Sequence, residues 1–438
     1  MLGALLAIGY AALFLLVIRQ FDFFSAPGLS KRGIGALFLL KIGAGTALWF
    51  VYTYLHTDRA TADIYRYFDD GNIMFRAMPK HPLDFISMLS GIGNDKEHFD
   101  TNYYQVMHNW YRQFESNMYN DAHTMIRFNA FVRLFSFGHY HVHTVFACFL
   151  STLGLTALYK AFIPRLQGHE RILMAALFLL PSVLFWASGV IKESLLFFGL
   201  GLFVWVLMEL KRKGLLQWKA FLFPFSMVLL FFLKFYVLLS MVPALIAYIW
   251  CRSTGDRKPF LKFVLVYVAF ITLGLNSDLF YPRFDILEVL WVKQRDFIGL
   301  AVEVSAGSLV QVTPLEPNLL SFISQAPHAL YMTFISPITT WSNGVLGLIS
   351  AAENILLFFL MAAAFRYKRA WSAVDKPLLL FCVGFCLLLA LVIGWTTPVI
   401  GALVRYRVPL LPFLLMAGMC IADPKRIPWP NWFATKSL

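Results

Sequence analysis

The strongest constraint on this chain is a series of continuous apolar runs. Several reach about 20 residues, the length at which a helix crosses a hydrocarbon layer of about 30 Å. Only helices and closed barrels pair all their backbone polar groups inside a bilayer. These runs are continuous, not alternating, so they read as helices. Spans fall at 1–18, 34–55, 141–162, 172–187, 194–210, 220–235, 237–250, 262–279, 347–365, 377–395 and 408–422. The expectation is an all-α polytopic bundle of about eleven spans, within a range of about ten to thirteen. Segment 326–346 is apolar but interrupted by Pro327, Pro337 and Gly344. It reads equally as a further span and as a re-entrant or interfacial segment. The run at 1–18 has no basic start and no small-residue cleavage site, so it reads as a retained helix.

The net charge of +13 would suggest nucleic acid in a soluble protein. At 59% hydrophobic residues it has another origin. Lys and Arg gather in short loops at 19–32, 165–171, 211–219, 252–262 and 366–376 and in the tail from 425. Such loops face the cytoplasm by the positive-inside rule. The N-terminus then lies outside, the C-terminus inside, and no nucleic-acid partner is implied. The localisation expected is an integral membrane one, with the short basic loops on the cytoplasmic side.

The long loops 56–140 and 280–325 consequently lie outside. Loop 56–140 holds ten acidic and eight basic residues, so positive-inside sorting does not explain its charge. Its aromatics, Tyr103, Tyr104, Trp110, Tyr111 and Phe114, argue for order. Short helices along the membrane surface are expected there, and another over 283–303. Nothing marks separate soluble domains. Residues 1–438 read as one integral membrane domain, with a large external loop at 56–140 and a second external or re-entrant region at 280–346. The five cysteines sit in or beside apolar runs and form no disulfide or zinc pattern.

Loop 56–140 opens on TADIYRYFDDGNIMF, residues 61–75. As a helix it sets Asp63, Tyr67, Asp70 and Met74 on one face. Thr61 is a candidate cap, and Arg66 and Asp70 are spaced to pair. Two readings stand. One is a solvated amphipathic surface helix. The other is a carboxylate partly shielded at the membrane surface, its pKa raised toward general-base work.

Three further sites carry charge in apolar surroundings, which by default marks function. In PSVLFWASGVIKESLLFF, 181–198, Lys192 and Glu193 interrupt what is otherwise one apolar stretch over 172–210. They read either as a phosphate-holding and sugar-orienting pair or as a turn whose charges satisfy each other. Lys234 raises the same question near the end of a span, as a snorkelling lysine or a ligand. In TTPVIGALVRYRVPLLPFLL, 396–415, Arg405 and Arg407 lie on the side where positive-inside sorting does not call for arginine. Their forked guanidinium groups suit phosphate, and snorkelling to anionic head groups is the competing reading. His328, Trp341 and Glu353 complete the polar set on that side. His139 and His143 are one helical turn apart, a spacing that suits zinc and equally suits rings at a membrane interface. Asp69 and Asp70 could bind a hard divalent cation.

The stretches ADIYRY and FDDG, opening a large loop directly after a membrane helix, resemble the GT-C superfamily of membrane glycosyltransferases, with Ile64 in place of the second acid of that pattern. Those enzymes use polyprenyl-phosphate-linked sugars. The segment 396–415 is similar to the closing segment of bacterial envelope glycosyltransferases and polysaccharide polymerases, and PSVLFWASGVIKE to a short external turn in the same group. The resemblance implies an inverting transfer from a lipid-linked sugar donor to a glycan, lipid or protein acceptor. It implies Asp63 as catalytic base, with Asp70 and Glu193 beside it. Tyr65, Tyr67, Asp69, Lys192, Lys234, His328, Arg405, Tyr406 and Arg407 are then the expected substrate-binding residues. Some members of that superfamily require a divalent cation such as Mg or Mn and others do not.

The rival class is a secondary transporter or flippase of a lipid-linked saccharide, which predicts inverted repeats and midplane charges. No repeat is evident, and the acids gather in an external loop. A non-catalytic assembly protein is the third class. No phosphate-binding glycine loop or Ser-His-Asp order stands in context, which argues against a nucleotide-driven pump.

Overall fold

Long apolar runs without a water partner for the backbone become helices, and the computed structural model contains helices and no β-strand among the described residues. Those are residues 1–55, 59, 61–111, 119–209, 216–279, 284–342 and 344–427. Phe114 and the basic run Lys211–Arg212–Lys213 lie outside them. In chain order the helices are α1 (Leu2–Gln20), α2 (Lys31–Phe50), α3 (Asp63–Arg76), α4 (Pro82–Ser90), α5 (Glu97–Asn102) and α6 (Ala122–Ser136). Then come α7 (Tyr140–Phe162), α8 (Glu170–Phe178), α9 (Pro181–Trp186), α10 (Lys192–Met208), α11 (Leu216–Ser253) and α12 (Pro259–Leu275). The last are α13 (Ile286–Glu303), α14 (Leu319–Phe334), α15 (Gly344–Arg366), α16 (Lys376–Thr396), α17 (Ile400–Tyr406) and α18 (Leu411–Ile421).

Seven helical stretches among the described residues are long and apolar enough to cross a membrane. They are Leu2–Gln20, Lys31–Leu55, Tyr140–Arg165, Ala220–Ser253, Gly344–Arg366, Lys376–Thr396 and Ile400–Ile421. The chain is an integral membrane protein by that criterion. The difference from about eleven has local causes. The expected spans 220–235 and 237–250 form one element, α11, broken at Lys234. The expected span 172–187 is two short helices, α8 and α9, with Pro181 opening the second. α10 and α12 have 17 residues each. Segment 326–346 is α14, a 3₁₀ turn over Ser336–Ser342 and the start of α15.

The chain divides into two compact units. The first comprises residues 1–113, 119–162 and 184–235. In it, α1, α2 and α7 share a ring cluster in which Phe14 stacks on Phe149 at 4.2 Å and meets Phe38 edge-on. α7 and α10 touch backbone to backbone. A Cβ on Gly154 would stand 2.1 Å from the Phe197 carbonyl oxygen, and one on Gly201 would stand 1.9 Å from the Gly154 oxygen. Small residues permit such close helix approach in membranes. α3 lies on α6 in the same manner, with Gly71 against Asn129 and Ala130. Asn129, His143 and Ser136 form a buried chain of hydrogen bonds joining α6 and α7.

The second unit comprises residues 114–118, 163–183 and 236–438. Here Thr333 of α14 donates to the Ala390 carbonyl of α16 at 2.8 Å. Phe385 of α16 meets Phe413 of α18 at 4.8 Å. Buried Gln294 of α13 donates to the Trp395 carbonyl and accepts from the Leu315 amide, binding the loop after α13 to the end of α16. That loop pairs Val310 with Pro398 and Ser308 with Ile400 just before α17.

The Gly154–Gly201 contact gives a direct test. Overpacking in a core costs about 1–3 kcal/mol and more where no rotamer relieves it. Gly201→Leu is expected to lower the unfolding temperature of purified protein in nanodiscs by several degrees. Gly43→Ala, whose added methyl meets nothing within 4 Å, leaves it unchanged.

Candidate functional site

The stretch 61–75 does form a helix, but it starts at Asp63 with Ala62 in the cap position, so Thr61 is not its cap. Its Tyr67–Asp70–Met74 face is fully buried, which excludes the solvated surface helix for those residues. Asp63 itself, at the start of the same face, is half-buried. The expected Arg66–Asp70 pair gives way to a shared grip on the backbone. Arg66 Nη2 donates to the His108 carbonyl at 2.6 Å. The Asp70 carboxylate accepts from the His108 and Asn109 amides, each at 2.8 Å. A peptide offers a donor and an acceptor at once, and this one takes both charges. Burial raises the Asp70 carboxyl above the usual aspartate range, opposed by those amide hydrogen bonds. Asp70, expected to be catalytic, is an anchor for residues 108–109.

Asp69 points elsewhere. Arg59 reaches it through Nε and Nη2 at 3.0 and 2.7 Å, with the guanidinium lying 3.9 Å from the Tyr65 ring centre. Tyr65 is core, its hydroxyl 2.6 Å from Thr53 Oγ1. With Asp69 and Asp70 committed to different partners, the pair does not fit a shared divalent cation. Among the described residues no three His, Cys, Asp or Glu side chains gather around a point that would hold a metal. His143 has both ring nitrogens engaged, by Ser136 and Asn129 at 2.8 Å each, so the His139–His143 zinc reading fails on geometry.

The charges that do come together lie at the break between two apolar helices, α9 and α10. α9 ends at Trp186 and α10 restarts at Lys192. Between them Lys41, wholly buried in α2, donates to the Ala187 carbonyl at 2.7 Å. Cys148 Sγ donates to Ser188 O at 3.0 Å and Ser194 Oγ to Gly189 O at 2.7 Å. The restarted helix presents Lys192 and Glu193 in its first turn. Lys192 Nζ is 2.9 Å from Asp121 and 5.5 Å from the Tyr67 ring centre. Glu193 accepts from Lys234 at 2.8 Å, and both side chains are buried. Lys234 has φ −152° and ψ 77°, so α11 leaves helical geometry at the residue that meets Glu193. Asp63 and Tyr67 are i and i+4 on α3 and share a face. The first unit thus brings Tyr67, Asp121, Lys192, Glu193 and Lys234 to one region, with Asp63 one turn before Tyr67 on α3.

Asp121 escaped sequence reasoning. It stands at the cap position of α6 yet makes no capping hydrogen bond, because its carboxylate goes to Lys192. Its partner is far away in sequence, and no local pattern signals it.

A cavity of about 680 Å³ lies in the same unit. Tyr119 and His123, on either side of Asp121, help line it, as does Phe232, two residues before Lys234. One wall is Phe225, Val228, Leu229 and Phe232 of α11. The opposite wall carries a ring stack, Tyr104 on Trp110 at 3.9 Å and Trp110 on His123 at 3.8 Å. Burial pushes the Tyr104 phenol up to about 12, and burial together with the Asp100 hydrogen bond does the same for Tyr111. Both therefore remain protonated donors at neutral pH.

In the second unit Arg407 is one of the largest fully buried side chains. Its Nη1 donates to Asn354 Oδ1 at 2.6 Å and to the Thr333 carbonyl at 3.1 Å. This corrects its expected place at a membrane surface, since it ties α17 to α14 and α15. Glu353 is also buried and accepts from the Ser182 amide at 2.8 Å and from the Ser182 hydroxyl. Arg405 is buried, and Tyr406 meets Tyr236 and Phe297. His328 is exposed beside Tyr331. The side chain of Trp341 lies outside the described residues.

Removing one member of a buried ion pair costs about 3–5 kcal/mol, whereas replacing both with apolar groups of similar volume is often neutral. Lys234→Met alone is expected to destabilise strongly, and Glu193→Leu combined with Lys234→Met to recover most of the loss. Thermal unfolding of the three purified proteins in nanodiscs checks the recovery. Comparison with family models, with curated proteins and with solved structures finds no match for this chain.

Proposed function

We propose that this protein is a membrane glycosyltransferase of GT-C type. It would transfer a sugar from a polyprenyl-phosphate-linked donor to an envelope glycan, lipid or protein acceptor. The reaction belongs at the external face of a bacterial inner membrane, with the N-terminus outside. The observation that carries this reading is the charged region of the first unit. Residues of the polar loop, Tyr67 and Asp121, meet Lys192 at the start of α10, beside the buried Glu193–Lys234 pair. Asp63 lies one turn from Tyr67 on the same helix face.

Asp63 takes the proton of the acceptor hydroxyl as its oxygen attacks the anomeric carbon of the donor. The bond from that carbon to the phosphate oxygen breaks, its electron pair leaves on the phosphate, and the configuration inverts. Lys192 stabilises the departing charge. The N-terminus of α10 adds its partial positive charge there. Glu193, held by Lys234, keeps the adjacent helix turn in place. The residues present do not fit a divalent cation at Asp69 and Asp70, and no step uses one.

A second reading draws on one specific observation. A buried Glu193–Lys234 pair at a break in α11 is the kind of discontinuous, charged helix that transporters use. A flippase of a lipid-linked saccharide would use it as its moving part.

The test is transfer of labelled sugar from a polyprenyl-phosphate donor by the purified full-length protein in nanodiscs. Loss of a general base reduces turnover by about 10²–10⁴. Asp63→Asn is expected to fall in that range, and Lys192→Met to lose donor-dependent rate as well. Transfer by Asp63→Asn equal to wild type removes Asp63 as the base. Movement of the lipid-linked sugar across vesicles with no covalent product establishes the second reading instead.

A further inference from the structure

We infer that the cavity of the first unit is a binding site for an uncharged saccharide. This rests on the transferase reading above only for the name it gives that saccharide, the acceptor.

The argument starts from the charge of the lining. Asp95, Asp100, Lys96 and Arg127 all line it, so the walls hold two carboxylates against one ammonium and one guanidinium and carry no net charge. Arg127 is already committed, donating from Nε to the Met88 carbonyl at 2.9 Å and from Nη1 to the Tyr119 hydroxyl at 2.8 Å. A phosphate site needs surplus cations and forked donors turned toward the ligand. This cavity has neither. The ligand class it suits is neutral.

The two walls differ in kind. The α11 wall is apolar, with Phe225, Val228 and Phe232 partly exposed. The facing wall mixes aromatic rings with carboxylate and phenolic oxygens. A pyranose ring has the same duality, with C–H groups on its faces and hydroxyls around its edge. Rigid aromatic surfaces cover the first at low entropy cost, and carboxylates, phenols and amides pair with the second. At about 680 Å³ the space lies within the range of small-molecule pockets.

The site is also held in shape before any ligand arrives. The Tyr104–Trp110–His123 stack is closed by His123 Nε2 against the Trp110 carbonyl at 2.8 Å and by the Tyr104 hydroxyl donating to the Asn94 carbonyl at 3.0 Å. Thr124 Oγ1 donates to the Phe232 carbonyl at 2.9 Å, fixing the aromatic wall to the apolar one. The Tyr111 hydroxyl donates to Asp100 and Gln105 reaches the other oxygen of that carboxylate at 3.0 Å, so Asp100 is oriented as well. Preorganisation of this degree is what weak, hydroxyl-rich ligands require, since little is left over to order a loose site.

The test uses the full-length protein in phosphatidylcholine nanodiscs, free of glycoside detergents. Ligand-observed saturation-transfer NMR is run with neutral trisaccharides of glucose, galactose, mannose and N-acetylglucosamine, and with a trisaccharide of uronic acid. We expect at least one neutral trisaccharide to bind and the uronic acid trisaccharide to bind at least tenfold more weakly. Tyr111→Ala and Asp100→Asn, both on the accessible side of the cavity, should each weaken binding about tenfold or more. Gly43→Ala, whose added methyl meets nothing within 4 Å, should leave it unchanged. Preference for the charged sugar, or binding indifferent to Tyr111→Ala and Asp100→Asn, overturns the inference. So does absence of saccharide binding in a protein that still performs transfer, which leaves the transferase reading standing. Binding of this pattern without any transfer sinks the transferase reading and leaves the cavity assignment in place.

Discussion

Pairing of three carbonyl oxygens between α9 and α10 decides what the first unit can place there. An unpaired carbonyl in apolar surroundings costs several kcal/mol, so a helix does not unwind inside a bundle unless side chains replace the lost hydrogen bonds. Lys41, Cys148 and Ser194 do so for Ala187, Ser188 and Gly189. With those oxygens satisfied, α10 begins afresh at Lys192. Its first turn then displays an ammonium and a carboxylate that an uninterrupted helix would have held at mid-span. The arrangement has a clear cost. Lys41 is completely buried, where leucine would suit a spanning helix better. A chain that keeps lysine there gains the interruption.

Much of the architecture could be read from the residues, and the exceptions share one cause. Continuous apolar runs specify helices because nothing else satisfies their backbone. The run from 61 to 75 reads as a helix from its spacing alone. Where those helices stop is decided at a distance. Lys234 bends α11 because Glu193 waits forty-one residues earlier in the chain. The face of Tyr67, Asp70 and Met74 turns inward because Asn109 and His108 need a carboxylate, and because α6 packs closely against Gly71. Asp121 carries a local signal for helix capping and uses its carboxylate otherwise. Periodicity reports the local preference, and the remote partner overrides it.

Arg407 illustrates the same limit from the other side. From the sequence this arginine reads as external, where the sorting rule does not ask for one, and a phosphate partner is the expectation. In the second unit the anomaly is explained by packing. Asn354 and the Thr333 carbonyl take one end of the guanidinium, and it joins three helices whose apolar surfaces alone would not fix their register. Its Nε and Nη2 have no hydrogen-bond partner among the described residues. Interhelical polar contacts of this kind are worth about 0.6–2 kcal/mol each in membranes, enough to choose among packings of similar apolar area.

The charged region of the first unit contains two acid–base pairs, Asp121 with Lys192 and Glu193 with Lys234. The neutral sum of those two pairs allows them to exist in a low dielectric without substrate, which four uncompensated charges would not. The two pairs differ in access. Lys192 has 14% of its side chain exposed and Asp121 31%, against 2% for Lys234 and none for Glu193. On the transferase reading only the more accessible pair can exchange partners. An arriving phosphate competes with Asp121 for Lys192, and the carboxylate it displaces already lies where water can solvate it. The deeper pair has no such outlet, since separating it would strand two charges away from water. On that reading binding chemistry and structural support would be divided between adjacent residues of one helical turn, 192 for the ligand and 193 for the frame.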